Sequence, residues 1–281
     1  MAMAAQETGA SDRGEIIYRH SGAVRITHWV NALVLLVLLM SGLQIFNAHP
    51  ALYLGSKSDF DNPILAMQPM MHDDEVYGVT TLFGWQFDTT GVFGLSGDAQ
   101  NGYEFRGIPW WATLPGYQDL AMGRRWHFFF AWLFLFNGLA YLLWSLGSGH
   151  LRRDLAPSGR ELKHIGASIW DHVRLKFPKG DEAKRYNVLQ KLAYLAVALV
   201  LLPLMLLTGL AMSPGMDAAF PILLDVLGGR QTARTIHFVS ASFVVIFVLI
   251  HLIMVLITGV WNNVRSMITG RYVIAPAEEK S

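Results

Sequence analysis

The chain has 281 residues, 53% of them hydrophobic and only 15% charged, against about 25% charged in ordinary soluble domains. Its mean hydropathy of +0.34 points to a membrane protein, and a net charge of +1 gives no ground for a nucleic-acid partner. The absence of cysteine excludes disulfides, thiolate metal sites, cysteine-ligated iron–sulfur clusters and covalent CxxCH haem attachment, so any resident redox centre must rest on histidine, methionine or carboxylate.

In chain order, residues 1–24 form a polar, small-residue tail with Arg13 and Arg19. The first apolar run, 26–46, is too long for a signal core and is followed by no A-x-A pattern, so it reads as an uncleaved first span. A long segment, 47–123, follows with many glycines, acidic residues from Asp59 to Asp119 and the cluster Pro109-Trp110-Trp111. It reads as a structureless loop, its tryptophans either interfacial anchors or a docking surface. Within it, His72-Asp73-Asp74-Glu75 reads as a solvated acidic turn or, less simply, a divalent-metal site.

The second span is 127–146. The basic stretch 147–191 contains Ser158-Gly-Arg-Glu161, a capping box whose ends would satisfy free amides at a helix start. Leu162, Ile165, Ile169, Val173 and Phe177 then recur at helical spacing among Lys and Arg. That predicts a helix lying either on an anionic leaflet or on the ends of a bundle. The third span, 192–212, contains Pro203 and should kink there. The apolar piece 218–227 is too short to cross, 236–260 is the fourth span, and 271–281 is a tail.

Basic residues crowd the segment between the second and third spans, and acidic residues the segment between the first and second. The positive-inside rule then puts both termini in the cytoplasm and the long loop outside. The expected fold is an all-α integral membrane bundle of four transmembrane helices, with residues 25–270 as its membrane domain.

Ten histidines are present, and four lie in or at the mouth of a span: His28, His127, His237 and His251. An intramembrane histidine is costly without a partner, so each is a functional candidate. His237 and His251 are 14 residues apart, which on a helix returns them to one face at depths about 21 Å apart. His28 matches His251 in depth on the inner side, and His127 matches His237 on the outer side. Paired neutral imidazoles saturate a haem iron and leave a one-electron carrier, so the pattern predicts two stacked b-type haems. Gly42 follows His28 by 14 residues and would either admit a porphyrin at the outer depth or let helices pack closely. Arg25, Arg124 and Arg234 each precede a histidine by three on its water side. They would pair haem propionates, or simply mark span ends. His20, His49, His72, His150, His164 and His172 fall in loops or on the surface helix.

Arg25-Ile-Thr-His-Trp-Val-Asn31, Arg124-Arg-Trp-His127, Arg234-Thr-Ile-His237 through His251, Gln190-Lys-Leu-Ala-Tyr194 and Thr208-Gly209 resemble the b-type cytochrome subunits of nickel–iron hydrogenases and periplasmic formate dehydrogenases. The resemblance covers all four spans. It implies two haems b, the inner on His28 and His251 and the outer on His127 and His237, with a quinone site near the inner haem. The long outer loop is similar to the variant found beside molybdopterin oxidoreductases, which favours that partner over a hydrogenase. The expected activity is electron relay between quinone and a periplasmic redox enzyme. Two alternatives stand beside it: a stand-alone quinone-linked oxidase of a small oxidant such as superoxide, and a non-redox transporter using histidines.

Overall fold

The computed structural model describes residues 15–174 and 187–274. In chain order, β1 (Glu15–Tyr18) precedes helix α1 (Gly22–Phe46). Six strands follow: β2 (Ala51–Leu52), β3 (Leu65–His72), β4 (Glu75–Leu82), β5 (Trp85–Asp88), β6 (Gly94–Asp98) and β7 (Gly102–Arg106). Then come α2 (Leu120–Ser148), α3 (Gly159–Lys163), α4 (Ile165–Val173), α5 (Val188–Ala196), α6 (Leu202–Ala211), α7 (Pro214–Ala219) and α8 (Ile222–Val226). The chain closes with α9 (Arg230–Ile257), α10 (Val260–Thr269) and β8 (Arg271–Ile274).

Among the described residues four helical stretches are long and apolar enough to cross a membrane: Gly22–Phe46, Leu120–Ser148, Val188–Ala211 and Arg230–Ile257. Leu33, Phe136, Leu207 and Ile253 stand exposed on them, as lipid-facing residues do. The stretch Val188–Ala211 joins α5 to α6 through a widened π turn at Val197–Leu201. Pro203, in the first turn of α6, has no amide proton, and its ring crowds the carbonyl four residues back, at Leu199. The distortion expected at the proline therefore sits in the turn before it. The piece 218–227 folds into α7 and α8, both too short to span.

The chain divides into two compact units. One comprises Val30–Asn137 and Leu201–Val245. Its long loop is not structureless. β2, β3, β4 and β5 form an antiparallel four-stranded sheet, and β6 and β7 a hairpin. Asp73-Asp74 (φ 50° and 65°) and Phe83-Gly84 (φ 49° and 84°) make two-residue turns whose positive φ matches the twist of paired strands. The acidic cluster at His72–Glu75 is therefore the first of these turns, with His72 and Glu75 as its closing pair. Among the described residues no group of three or more metal-ligating side chains assembles.

Phe46, Leu52, Leu65, Met67 and Ile108 are buried together, with Phe238 packed against them. Arg106 is buried beneath β7. It donates to the carbonyls of Ile108 at 2.7 Å and Gly116 at 3.0 Å, to Thr113 Oγ1 at 3.1 Å and to the Glu104 carboxylate at 3.1 Å. Asn47 pins the same region by a reciprocal pair with the Ile108 backbone, at 2.7 and 3.1 Å. Trp110 and Trp111 are both exposed.

The other unit comprises Met1–Trp29, Gly138–Val200 and Ile246–Ser281. Here two stretches expected to be tails pair instead as antiparallel strands, Glu15 opposite Ile274 through Tyr18 opposite Arg271. Asn262 of α10 clasps β8 by a reciprocal pair with Val273, at 2.7 and 3.0 Å. Both bonds of the capping box at Ser158 are present, and a second box, Asn187 with Gln190, opens α5. The surface helix predicted after Ser158 breaks at His164 into α3 and α4. Phe177 lies outside the described residues. Lys191 Nζ donates to Glu161 Oε1 at 2.8 Å, tying α5 to α3.

Candidate functional site

His127 lies in the second turn of α2 and His237 in the second turn of α9, and their ring centres are 6.3 Å apart with planes at 65°. Behind each ring stands a hydroxyl. The Ser41 Oγ is 3.1 Å from His127 Nδ1, and the Thr208 Oγ1 is 2.9 Å from His237 Nδ1. Each hydroxyl already donates its own hydrogen to a carbonyl four residues back, Ser41 to Val37 at 2.6 Å and Thr208 to Leu204 at 2.7 Å. Each must therefore accept, so the imidazole proton is assigned to Nδ1 and the Nε2 lone pair is left free. His127 Nδ1 also has the Leu38 carbonyl at 3.2 Å.

A glycine follows each hydroxyl residue. A Cβ on Gly42 would sit 3.3 Å from His127 Cε1, and one on Gly209 would sit 3.4 Å from His237 Cε1. Both glycines make room for an imidazole, so the local role of Gly42 is close approach to His127. Ser41, Thr208 and Gly209 were not singled out as site residues by sequence reasoning. The available signal was the recurrence of a hydroxyl–glycine dipeptide in the first and third spans.

In the other unit His28 of α1 and His251 of α9 also have ring centres 6.3 Å apart, with planes at 59°. His251 stacks on Phe247, centres 6.1 Å apart and planes within 15°, and Tyr194 meets Phe247 edge-on at 6.2 Å. Trp29 packs edge-on to His28 at 5.3 Å and donates its indole hydrogen to the Met267 carbonyl at 3.0 Å. His28 Nδ1 is buried with no hydrogen-bond partner among the described residues.

The three arginines differ. Arg25 donates to the Ile268 carbonyl, and its buried Nε has no partner among the described residues. Arg234 gives both terminal nitrogens to loop carbonyls, of Ala51 at 2.9 Å and of His49. Arg124 is exposed, its guanidinium 5.6 Å from the Phe128 ring centre. The first turn of α9 holds the same loop further: Gln231 and Thr232 amides donate to the Gly55 carbonyl at 2.9 and 3.2 Å, and Thr235 donates to Tyr53 at 2.6 Å. His49, outside the spans, is held below the usual histidine range by burial and then by the adjacent Arg234 charge.

The pair geometry can be tested against a shared metal. A metal–imidazole bond of about 2.0 Å and about 1.2 Å from nitrogen to ring centre put two ring centres about 6.4 Å apart across one ion. Both pairs measure 6.3 Å. Each supplies only two donors, and no third His, Asp or Glu joins either among the described residues. Two axial imidazoles suffice where a macrocycle provides the remaining donors, so the donor set fits haem better than a bare ion.

The family model described as prokaryotic cytochrome b561 matches residues 19–270. A candidate protein-methionine-sulfoxide reductase subunit, YedZ1, from Azospira oryzae is 30% identical over 86% of this chain and 91% of that protein. A candidate cytochrome, YdhU, from Escherichia coli is 28% identical over 86% of this chain and 69% of that protein. No solved structure matches. The chain belongs to the prokaryotic cytochrome b561 family: it is a multi-pass b-type cytochrome of the bacterial inner membrane, a haem-binding electron-transport protein.

Proposed function

We propose that the chain relays electrons between the quinone pool and a periplasmic redox enzyme, using two haems b, one on His127 and His237 and one on His28 and His251. The observation that carries this reading is the recurrence of the same 6.3 Å imidazole separation at two independent pairs. Haem held in this way supplies reversible one-electron chemistry with no open coordination site.

The chain's own residues bind, orient and insulate. Ser41 and Thr208 fix His127 and His237 in the tautomer that presents Nε2, and Gly42 and Gly209 let the rings seat against the helices. Phe247 and Trp29 shield His251 and His28 from water. Arg124, exposed at the start of α2, is best placed of the three arginines to meet a propionate, because Arg234 is engaged with loop carbonyls. The periplasmic partner is a molybdopterin oxidoreductase in this reading. The long-loop resemblance supports it, as does the similarity to a protein named as a methionine-sulfoxide reductase subunit. The exposed Trp85, Phe87 and Phe105 of the loop hairpins offer a face for docking.

The test is the haem-to-protein ratio and visible spectrum of the purified protein and of His127→Ala and His28→Ala. Each variant should lose half of the haem and keep the spectrum of the other centre. Unchanged stoichiometry in either variant would refute the pairing, and failure of quinol to reduce the wild-type haem would refute the relay.

A further inference from the structure

Two cavities adjoin in the unit that carries the ends of α2 and α5. The first, about 780 Å³, is lined among the described residues by Arg152, Arg153, Arg160 and Lys191 against a single carboxylate, Glu161. That carboxylate is already engaged, by Lys191 Nζ at 2.8 Å and by the Ser158 amide at 2.6 Å. Arg153 is engaged as well, through the Ser148 carbonyl. Arg152 and Arg160 are exposed and meet no carboxylate among the described residues. Among the described lining residues four cations thus face one carboxylate, three charges in excess.

The second cavity, about 350 Å³, is an apolar slot between Leu146, Leu151, Leu195 and Leu199, and it shares Arg152 and Ala156 with the first. Leu146 is in the last turn of one membrane-crossing stretch and Leu195 in the second turn of another, so the slot opens at the edge of the hydrocarbon layer. The basic cavity continues it toward water.

An ion alone would use only the basic cavity, and a neutral apolar molecule only the slot. A molecule with an anionic head and an aliphatic tail uses both, and Arg152 stands where head meets tail. Guanidinium pairs phosphate oxygens through two parallel hydrogen bonds, and basic pockets at helix ends on a membrane surface suit anionic lipid headgroups. We propose that this pair of cavities is a binding site for one anionic phospholipid, its phosphate against Arg152 and Arg160 and one acyl chain along Leu146, Leu195 and Leu199.

The experiment uses the haem-loaded protein in mild detergent, exposed to micelles carrying phosphatidylglycerol or phosphatidylcholine, with bound lipid counted by native mass spectrometry. The wild type should retain phosphatidylglycerol and release phosphatidylcholine. The double variant Arg152→Gln/Arg160→Gln should retain at least tenfold less, and Leu199→Trp should also lose the lipid with every charge in place. Haem content, unchanged in both, reports that the fold survives. Retention equal to wild type in either variant, or equal retention of the two lipids by the wild type, would overturn the proposal. Displacement of the lipid by millimolar inorganic phosphate would overturn it too, because the site would then belong to a free anion.

Discussion

Replacing Thr208 by valine keeps the shape of the side chain and removes one oxygen. That oxygen is 2.9 Å from His237 Nδ1, and the residue is fully buried. No water can replace it there, so the imidazole N–H would keep only the Met205 carbonyl, at a cost toward the low end of about 1–3 kcal/mol. Loss of a supporting hydrogen bond to a metal-bound histidine weakens metal affinity by about 10–100-fold. At about 1.4 kcal/mol per factor of ten the two magnitudes agree. The expected result is haem loss to apomyoglobin faster by one to two orders of magnitude from one of the two centres. Its midpoint potential should rise as well, because the imidazole donates less strongly to ferric iron. Thr208→Ser, which keeps the hydroxyl, should restore both readouts. If Thr208→Val matches the wild type in both haem retention and potential, or if Thr208→Ser behaves like Thr208→Val, the tautomer argument is wrong.

Gly209→Val should displace His237, because even a Cβ would lie 3.4 Å from Cε1; the haem-to-protein ratio should fall while Gly209→Ala stays near wild type. Arg106→Met should remove the donor shared by the Ile108 and Gly116 carbonyls and Thr113 Oγ1, with Asn47 still bonded to Ile108, destabilising the β-hairpin loop by about 2–4 kcal/mol; limited proteolysis should cut between residues 50 and 118 while the haem spectrum is unchanged. Glu161 is held down to about 2 from 4.5 by the Lys191 ammonium and the Ser158 amide. A carboxyl whose folded pKa is depressed contributes stability that is complete above about 4.5 and is lost as the pH falls toward 2. One-third exposure trims this to on the order of 1 kcal/mol. Glu161→Gln should therefore melt below wild type at pH 7, with the gap closing at pH 2; a gap that persists there would refute the linkage.

What could be read from the sequence was what apolar length and residue spacing encode. The four spans and the four histidines are of this kind, since an uncharged run of about twenty residues matches the thickness of a bilayer and a 14-residue spacing returns to one helix face. The helix ends are not. α2 begins at Leu120 instead of 127 because Asp119 Oδ1 accepts the Met122 amide at 2.9 Å, extending the helix through polar Arg124 and Arg125. α9 begins at Arg230 because a loop carbonyl, Gly55, caps it. Hydropathy cannot register either device. The strands of the long loop were hidden by their composition. β3, Leu-Ala-Met-Gln-Pro-Met-Met-His, has no clean alternation, and its turn is Asp-Asp, not Asn-Gly or Asp-Gly. The β1–β8 pairing joins residues more than 250 positions apart, and no local signal reports such a partner. The hydroxyls behind His127 and His237 were legible only as composition, since Ser and Thr in a span usually bond their own helix. Ser41 and Thr208 do so as well, and that very bond is what turns them into acceptors.

That double use separates the two histidine pairs. His127 and His237 each have a fixed acceptor at Nδ1, whereas His28 Nδ1 is buried with none among the described residues. A hydrogen bond to the distal nitrogen strengthens an imidazole as a donor and favours the ferric state of the iron it binds. Considered alone, this effect would make a haem on His127 and His237 the harder to reduce and one on His28 and His251 the easier. In the proposed dihaem arrangement, two chemically identical ligand sets would thus be given unequal potentials by a serine and a threonine behind one of them. A carrier that is to pass electrons in a preferred direction needs that inequality, and in the proposed arrangement it would be set by residues that never touch the iron.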